Sequence, residues 1–139
     1  MHGIGRSRGG LTTKVHLVVD ALGLPLAFEV TEGHRHDIVP AAGLVRRTHP
    51  RCLLADKAYS SRDFRELLDE LGCQPVIPSS SSWTDPPCYD NELYKGRAEV
   101  ECTFNLLKQA RRFATRYEKT LVNYAAVVAI GCALLWLRI

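Results

Sequence analysis

No C-x-x-C pair occurs among the five cysteines, Cys52, Cys73, Cys88, Cys102 and Cys132, and their odd number cannot form a complete set of pairs. That scatter argues against a zinc site or a disulfide frame and for reduced thiols in the cytoplasm. The opening residues, M-H-G-I-G-R, contain no apolar run, so no signal peptide is expected. Long apolar runs are scarce elsewhere too. The one candidate, Leu121 to Leu137, would span about 25 Å as a helix against roughly 30 Å of hydrocarbon, and it carries Asn123 and Tyr124. It reads as a buried core helix, Leu134 included, packed on a sheet or another helix and not in a membrane. No proline follows Gly96, so nothing interrupts helix formation there.

What is present suits one globular domain. The 139 residues allow a real core, and 46% apolar content argues against disorder. A net charge of +3 says little, but Lys108, Arg111, Arg112, Arg116 and Lys119 crowd one segment. That cluster is either a solvated face or a footprint for nucleic acid.

Residues 1–10 are basic and glycine-rich and read as a flexible lead-in, with Arg6 and Arg8 free to touch phosphates. From Leu11 to Asp20, Thr13, Val15, Leu17 and Val19 alternate with Thr12, Lys14 and His16, a strand pattern. Asp20 to Gly23 supplies a turn, and Pro25 to Thr31 returns as the second strand of a hairpin. His34 and His36 beside Asp37 form either a polar loop or a weak metal motif. Asp37 is a candidate N-cap for a helix from Ile38 to Arg47.

Cys52 to Ala55 is a short apolar run ending in Asp56. A buried parallel strand presents a carboxylate in this way at its C-terminal edge, although Asp56 could also serve as a helix N-cap. Ser60 or Ser61 introduces a helix over 62–71, and Gln74 to Ile77 reads as another strand. Residues 78–94 form a long loop or insertion whose large anchor, Trp83, either packs on the domain or stacks on a base.

The stretch from Tyr94 to Lys108 reads as a helix running on to about Ala114. Val100, Phe104 and Leu107 recur at i, i+4 and i+7, an apolar stripe. Arg97, Glu101 and Lys108 fall within about 40° of one another along its margin. Glu101 is therefore expected against the core and Glu99 on the opposite side. By itself, Arg97–Glu101 is also what a solvated i,i+4 ion pair looks like.

Tyr94, Arg97, Glu101 and Lys108 match Y-x2-R-x3-E-x6-K, which resembles the signature of bacterial insertion-sequence transposases of the DDE type. G-R-S-R-G-G-L-T-T-K, L-A-D-K-A-Y, T-R-Y-E-K and A-L-L-W-L-R extend the resemblance from about Ile4 to Leu137. It implies an α/β fold, the ribonuclease-H-like mixed sheet flanked by helices, here lacking its first strand, over residues 11–139. It also implies three carboxylates around two Mg²⁺ (or Mn²⁺) ions roughly 4 Å apart, with Asp56 and Glu101 as the second and third. Tyr94, Arg97 and Lys108, with Arg111, Arg112 and Arg116 nearby, would hold DNA by its phosphates.

The reaction implied is strand cleavage at the element's end, followed by attack of the freed 3′-hydroxyl on target DNA, in a homo-oligomer. The family's first Asp precedes the G-R-S-R-G-G stretch and has no match here, and Asp20, in a turn, is not a substitute. The expectation is a C-terminal part inactive alone. It would be a remnant, or a second reading frame joined to an upstream product by frameshifting. A non-catalytic DNA-binding or transposase-regulating module is the alternative.

Overall fold

The alternating segment is a strand, and one side chain builds the reversal after it. In the computed structural model, which describes residues 2–8 and 10–138, β2 (Gly10–Val19) pairs antiparallel with β3 (Pro25–Glu32). Between them Asp20 Oδ1 accepts the backbone N–H groups of Leu22 and Leu24, both at 2.9 Å. Gly23 completes the turn at φ +80°, where a side chain would be strained. β1 (Gly5–Ser7) pairs antiparallel with the start of β2, so this sheet runs β1-β2-β3.

The chain forms two units, residues 1–36 with 99–139, and residues 37–98. In the first, the sheet is joined by α4 (Ala98–Lys108), α5 (Arg111–Ala114) and α6 (Leu121–Trp136). Leu107, Phe113, Tyr124, Val128, Cys132 and Leu135 make its core, with Val15, Leu17, Phe28, Val30 and Phe104 packed on it. α6 is capped by Thr120, whose Oγ1 accepts the Asn123 N–H at 3.3 Å, and Trp136 Nε1 donates to the Pro25 carbonyl at 2.8 Å.

Two expectations are corrected in this unit. The lead-in is folded in: β1 is a strand, the Gly3 carbonyl accepts from Thr13 Oγ1 at 2.9 Å, and His2 Nδ1 lies 3.0 Å from the Lys119 carbonyl. Met1 and Gly9 of that lead-in, and Ile139, lie outside the described residues. α6 packs on the sheet as expected, but on one side only, and Leu134 is 52% exposed while Leu135 is buried. Among the described residues no helix is long and apolar enough to cross a membrane. On the other face of β2 from Val15 and Leu17, His16 is buried, its Nε2 2.7 Å from Thr31 Oγ1. A cross-strand hydroxyl satisfies that ring nitrogen, which makes its burial tolerable.

The second unit holds α1 (Ile38–Thr48), β4 (Cys52–Leu54), α2 (Arg62–Glu70), β5 (Gln74–Val76) and α3 (Asn91–Tyr94). β4 and β5 pair in parallel, as a β-helix-β stretch dictates. Val45, Phe64, Leu68, Cys73 and Ile77 form its core. Ser61 caps α2 by accepting the Phe64 N–H, whereas Asp37 stands before α1 with helical dihedrals and no capping bond. The mixed α/β class therefore holds, as two small sheets with helices.

The helix expected from Tyr94 to Ala114 is broken. A 3₁₀ turn over Lys95–Arg97 separates α3 from α4, and extended dihedrals at Ala110 separate α4 from α5.

Candidate functional site

Asp56 follows β4 by two residues, at the C-terminal edge of the parallel pair. Its Oδ1 accepts the Ala58 N–H at 2.8 Å, capping a 3₁₀ turn over Lys57–Tyr59. Asp56 thus stands at the strand's C-terminal edge and caps a 3₁₀ turn, while Ser61 caps the helix that follows. The turn brings Tyr59 under the same acid: burial first, then the negative fields of Asp37 and Asp56, push its hydroxyl pKa up to about 12. Asp37, read from the sequence as a cap, belongs instead to this acidic neighbourhood.

Gly96 explains how the Tyr94–Arg97 stretch reaches the same strand. A Cβ there would stand 3.2 Å from Leu54 Cδ2, so the backbone lies directly on the end of β4. No periodicity signals that glycine, because the signal is a close approach. Arg97 is half-buried with its guanidinium carbon 5.8 Å from the Tyr94 ring centroid, a cation–π contact. Tyr94 in turn meets Tyr89 edge-on at 5.6 Å. In this unit the structure brings Asp56's strand, Tyr94 and Arg97 together.

Trp83 packs between the guanidinium groups of Arg62 and Arg65, each 5.5 Å from its ring. Arg65 is held in turn by the Ile77 carbonyl at 2.7 Å and Ser60 Oγ at 3.2 Å. The long loop is therefore pinned to α2, and neither Asp56 nor Glu101 lines the cavity beside it.

In the other unit the rotation of α4 corrects an expectation. Thr103 and Leu107 are its buried residues, Glu99 is half-buried and Glu101 is exposed. Two residues on a helix turn about 200°, so a buried Thr103 points Glu101 outward. Glu101 is not held against the core.

Lys108, Arg111 and Arg112 are exposed, and Arg112 Nε lies 3.6 Å from the shielded Glu118 carboxylate. Arg116 is different. Its Nε donates to the Glu118 carbonyl, its Nη1 to Gly3 O and Thr13 Oγ1, and its Nη2 to the carbonyls of His2 and Lys119. It also covers the Tyr124 ring at 5.5 Å. Every nitrogen of the group expected on DNA is committed to the protein's own backbone and Thr13. His34 Nε2 lies 3.4 Å from Glu32, on an exposed loop.

Carboxylate oxygens are the right donors for a hard divalent ion such as Mg²⁺. Among the described residues, however, no group of three or more His, Cys, Asp or Glu side chains is gathered as a metal would need. All five cysteines are free thiols.

Residues 1–136 match the family model described as the transposase DDE domain. A Brucella ovis protein named for transposition of insertion sequence element IS6501 is 39% identical over 130 residues, covering 92% of this chain and 100% of that one. A Burkholderia cepacia protein named likewise for element IS402 is 32% identical over 144 residues, covering 94% of this chain and 64% of that one. No solved structure matches. The match along almost the whole chain, with Asp56 and the Y-x2-R-x3-E-x6-K stretch inside it, makes this chain a member of the DDE family of insertion-sequence transposases.

Proposed function

We propose that the chain acts in DNA transposition, with Asp56 and Glu101 as two of the carboxylates that hold Mg²⁺ or Mn²⁺. The observation that carries this is Asp56 at the C-terminal edge of a parallel strand on which the Tyr94–Arg97 stretch directly rests. Substrate-handling side chains collect at such edges. The outward Glu101 adds a second oxygen donor that solvent and a metal can reach.

A divalent ion supplies Lewis-acid activation of water or a 3′-hydroxyl at the scissile phosphate. The chain's own residues bind and orient. Tyr94, Arg97 and Lys108 grip the phosphates of the element's end, and Arg111 and Arg112 widen that grip. The guanidinium fork of Arg97 suits bidentate phosphate recognition, and its stacking on Tyr94 fixes the fork's plane. The reaction is cleavage at the element's end, then attack of the freed 3′-hydroxyl on a target phosphodiester, which joins the element's 3′ end to the target strand and releases a target 3′-hydroxyl. In this reading the mixed α/β fold is ribonuclease-H-like, and free thiols suit the cytoplasm.

Two carboxylates are short of the usual set, so the chain by itself should bind DNA without nicking it. A nicking assay on insertion-sequence ends with Mg²⁺ or Mn²⁺ tests this. Fusing a strand that ends in Asp ahead of Ile4 should create cleavage, and Glu101→Gln should abolish it while keeping side-chain size. Cleavage by the unfused chain would sink the assignment. Asp37, beside Tyr59, would then be tested before Asp20, whose carboxylate is spent on its turn.

The lack of a three-ligand cluster among the described residues favours a second reading, a non-catalytic module that binds DNA or regulates a complete transposase. Metal-independent binding with no nicking, even in the fused protein, would select it.

A further inference from the structure

The cavity beside the long loop has the chemistry of an anion site. It encloses about 240 Å³ between four hydroxyls, a guanidinium and one ring, those of Ser60, Ser61, Ser82, Thr84, Arg62 and Trp83. Pockets for whole drug-sized ligands begin at roughly 300 Å³, so this one suits a single small group. No carboxylate lines it, and the adjoining acids, Asp63 and Asp85, are exposed. Among the described residues, no carboxylate pairs with either arginine stacked on Trp83. Arg65 is spent on Ser60 and the Ile77 carbonyl, its Nε is buried with no partner among those residues, and burial lowers its pKa. These are the marks of a positive charge short of a counter-ion. Arg62 lies flat on Trp83 at the rim. Its guanidinium and the Thr84 hydroxyl meet no hydrogen-bond acceptor among the described residues.

We propose that this cavity binds one phosphate group, gripped by the Arg62 guanidinium and the hydroxyls of Ser61 and Thr84. The donor set selects that ligand. A planar fork gives two parallel N–H donors, and rotatable hydroxyls reach the other oxygens of a tetrahedral anion. Ser61 Oγ already accepts the Phe64 N–H, which leaves its own proton to donate. Trp83 sets the plane of the fork. With a guanidinium on either side it offers no face on which a base could stack. The source of the phosphate follows from the connection to Asp56. Ser61 is five residues further on, no more than about 18 Å away even if the chain were extended. The 3₁₀ turn joins the two, with Asp56 capping its start and the Ser60 N–H bonded to the Lys57 carbonyl at its end. This step rests on the role proposed for Asp56: the phosphate belongs to the backbone of the DNA strand held at that acid, away from the scissile bond. Such a contact positions the strand and carries no sequence preference.

NMR of the intact labelled protein, titrated with inorganic phosphate at fixed ionic strength, reads the site. The Trp83 indole and Thr84 amide signals should shift saturably. Arg62→Ala should weaken the binding roughly tenfold or more, as loss of a charged hydrogen bond does. Arg62→Lys should not restore it, because an ammonium lacks the fork. Arg46→Ala, exposed on α1, should leave it unchanged. The second arm measures binding of duplex DNA from the element's end, where Arg62→Ala should lower the salt slope by about one. Saturable phosphate shifts with unchanged DNA binding in Arg62→Ala would uphold the site and overturn DNA as its source, leaving a free phosphate or nucleotide. No saturable shift, or equal losses for Arg62→Ala and Arg46→Ala, would overturn the site itself. Neither arm reads nicking, so a failure of the metal assignment at Asp56 and Glu101 would not be mistaken for a failure here.

Discussion

The Thr103 hydroxyl donates to the Gly23 carbonyl oxygen at 2.6 Å, joining α4 to the β2–β3 turn across 80 residues of sequence. It stands 3.0 Å from the Glu99 carbonyl as well, and a Cβ on Gly23 would meet Thr103 Oγ1 at 3.0 Å. This contact sets the rotation of α4, and through it the outward direction of Glu101. Thr103→Val keeps the shape but leaves a carbonyl without its donor, so it should cost about 1–3 kcal/mol in urea unfolding. Thr103→Ser should recover most of that loss. Equal losses for Val and Ser would mean that packing, not the hydrogen bond, holds the joint.

Adjacent leucines in α6 should behave differently. Leu135 is 8% exposed in the core and Leu134 is 52% exposed. Leu135→Ala should cost about 2–5 kcal/mol. Leu134→Ala should cost less than about 1 kcal/mol. Thermal unfolding of the two variants side by side checks this, and a reversed order would mean that α6 is rotated from its position here.

These two cases mark what is legible in the sequence. Alternation marks the β2–β3 hairpin, the apolar run marks β4 with Asp56 at its edge, and Ser61 marks the start of α2. Each signal is local. The rotation of α4 depends on a polar residue, Thr103, paired with a turn 80 residues away, and an apolar stripe cannot report that. Gly96 against Leu54 and the Arg116 clasp are long-range contacts of the same kind.

Stability should decline in alkali. Burial, then the Cys52 thiol, raises the Cys73 pKa from 9.0 to about 11, and burial raises Tyr59 from 10.0 to about 12. A raised folded-state pKa means stability that is intact below the unfolded value and lost as pH climbs through the folded one. The unfolding midpoint should therefore fall from about pH 9 to about 12, with the Cys73 part ending near pH 11. Cys73→Ala should flatten the first part of that fall. A thiol reagent at neutral pH should label exposed Cys88 and Cys102 first and reach Cys73 only on unfolding. Rapid labelling of Cys73 in the native protein would contradict its burial.

The basic segment should split into two kinds of arginine. Arg116 donates to Gly3, Thr13, Glu118, His2 and Lys119, so its loss takes a donor from four carbonyls and loosens the residues ahead of β2. Arg116→Ala should lower the unfolding midpoint and speed amide exchange in β1. Arg116→Lys should not rescue it, because an ammonium cannot reproduce the planar fork. Arg111 and Arg112 are exposed. Their alanine variants should keep the wild-type stability, weaken DNA binding across sequences, and each lower the salt slope by about one. Measuring stability and salt-dependent binding on all three variants separates a clasp from a phosphate contact. If Arg116→Ala left stability intact and cut the salt slope instead, the guanidinium would belong to DNA after all.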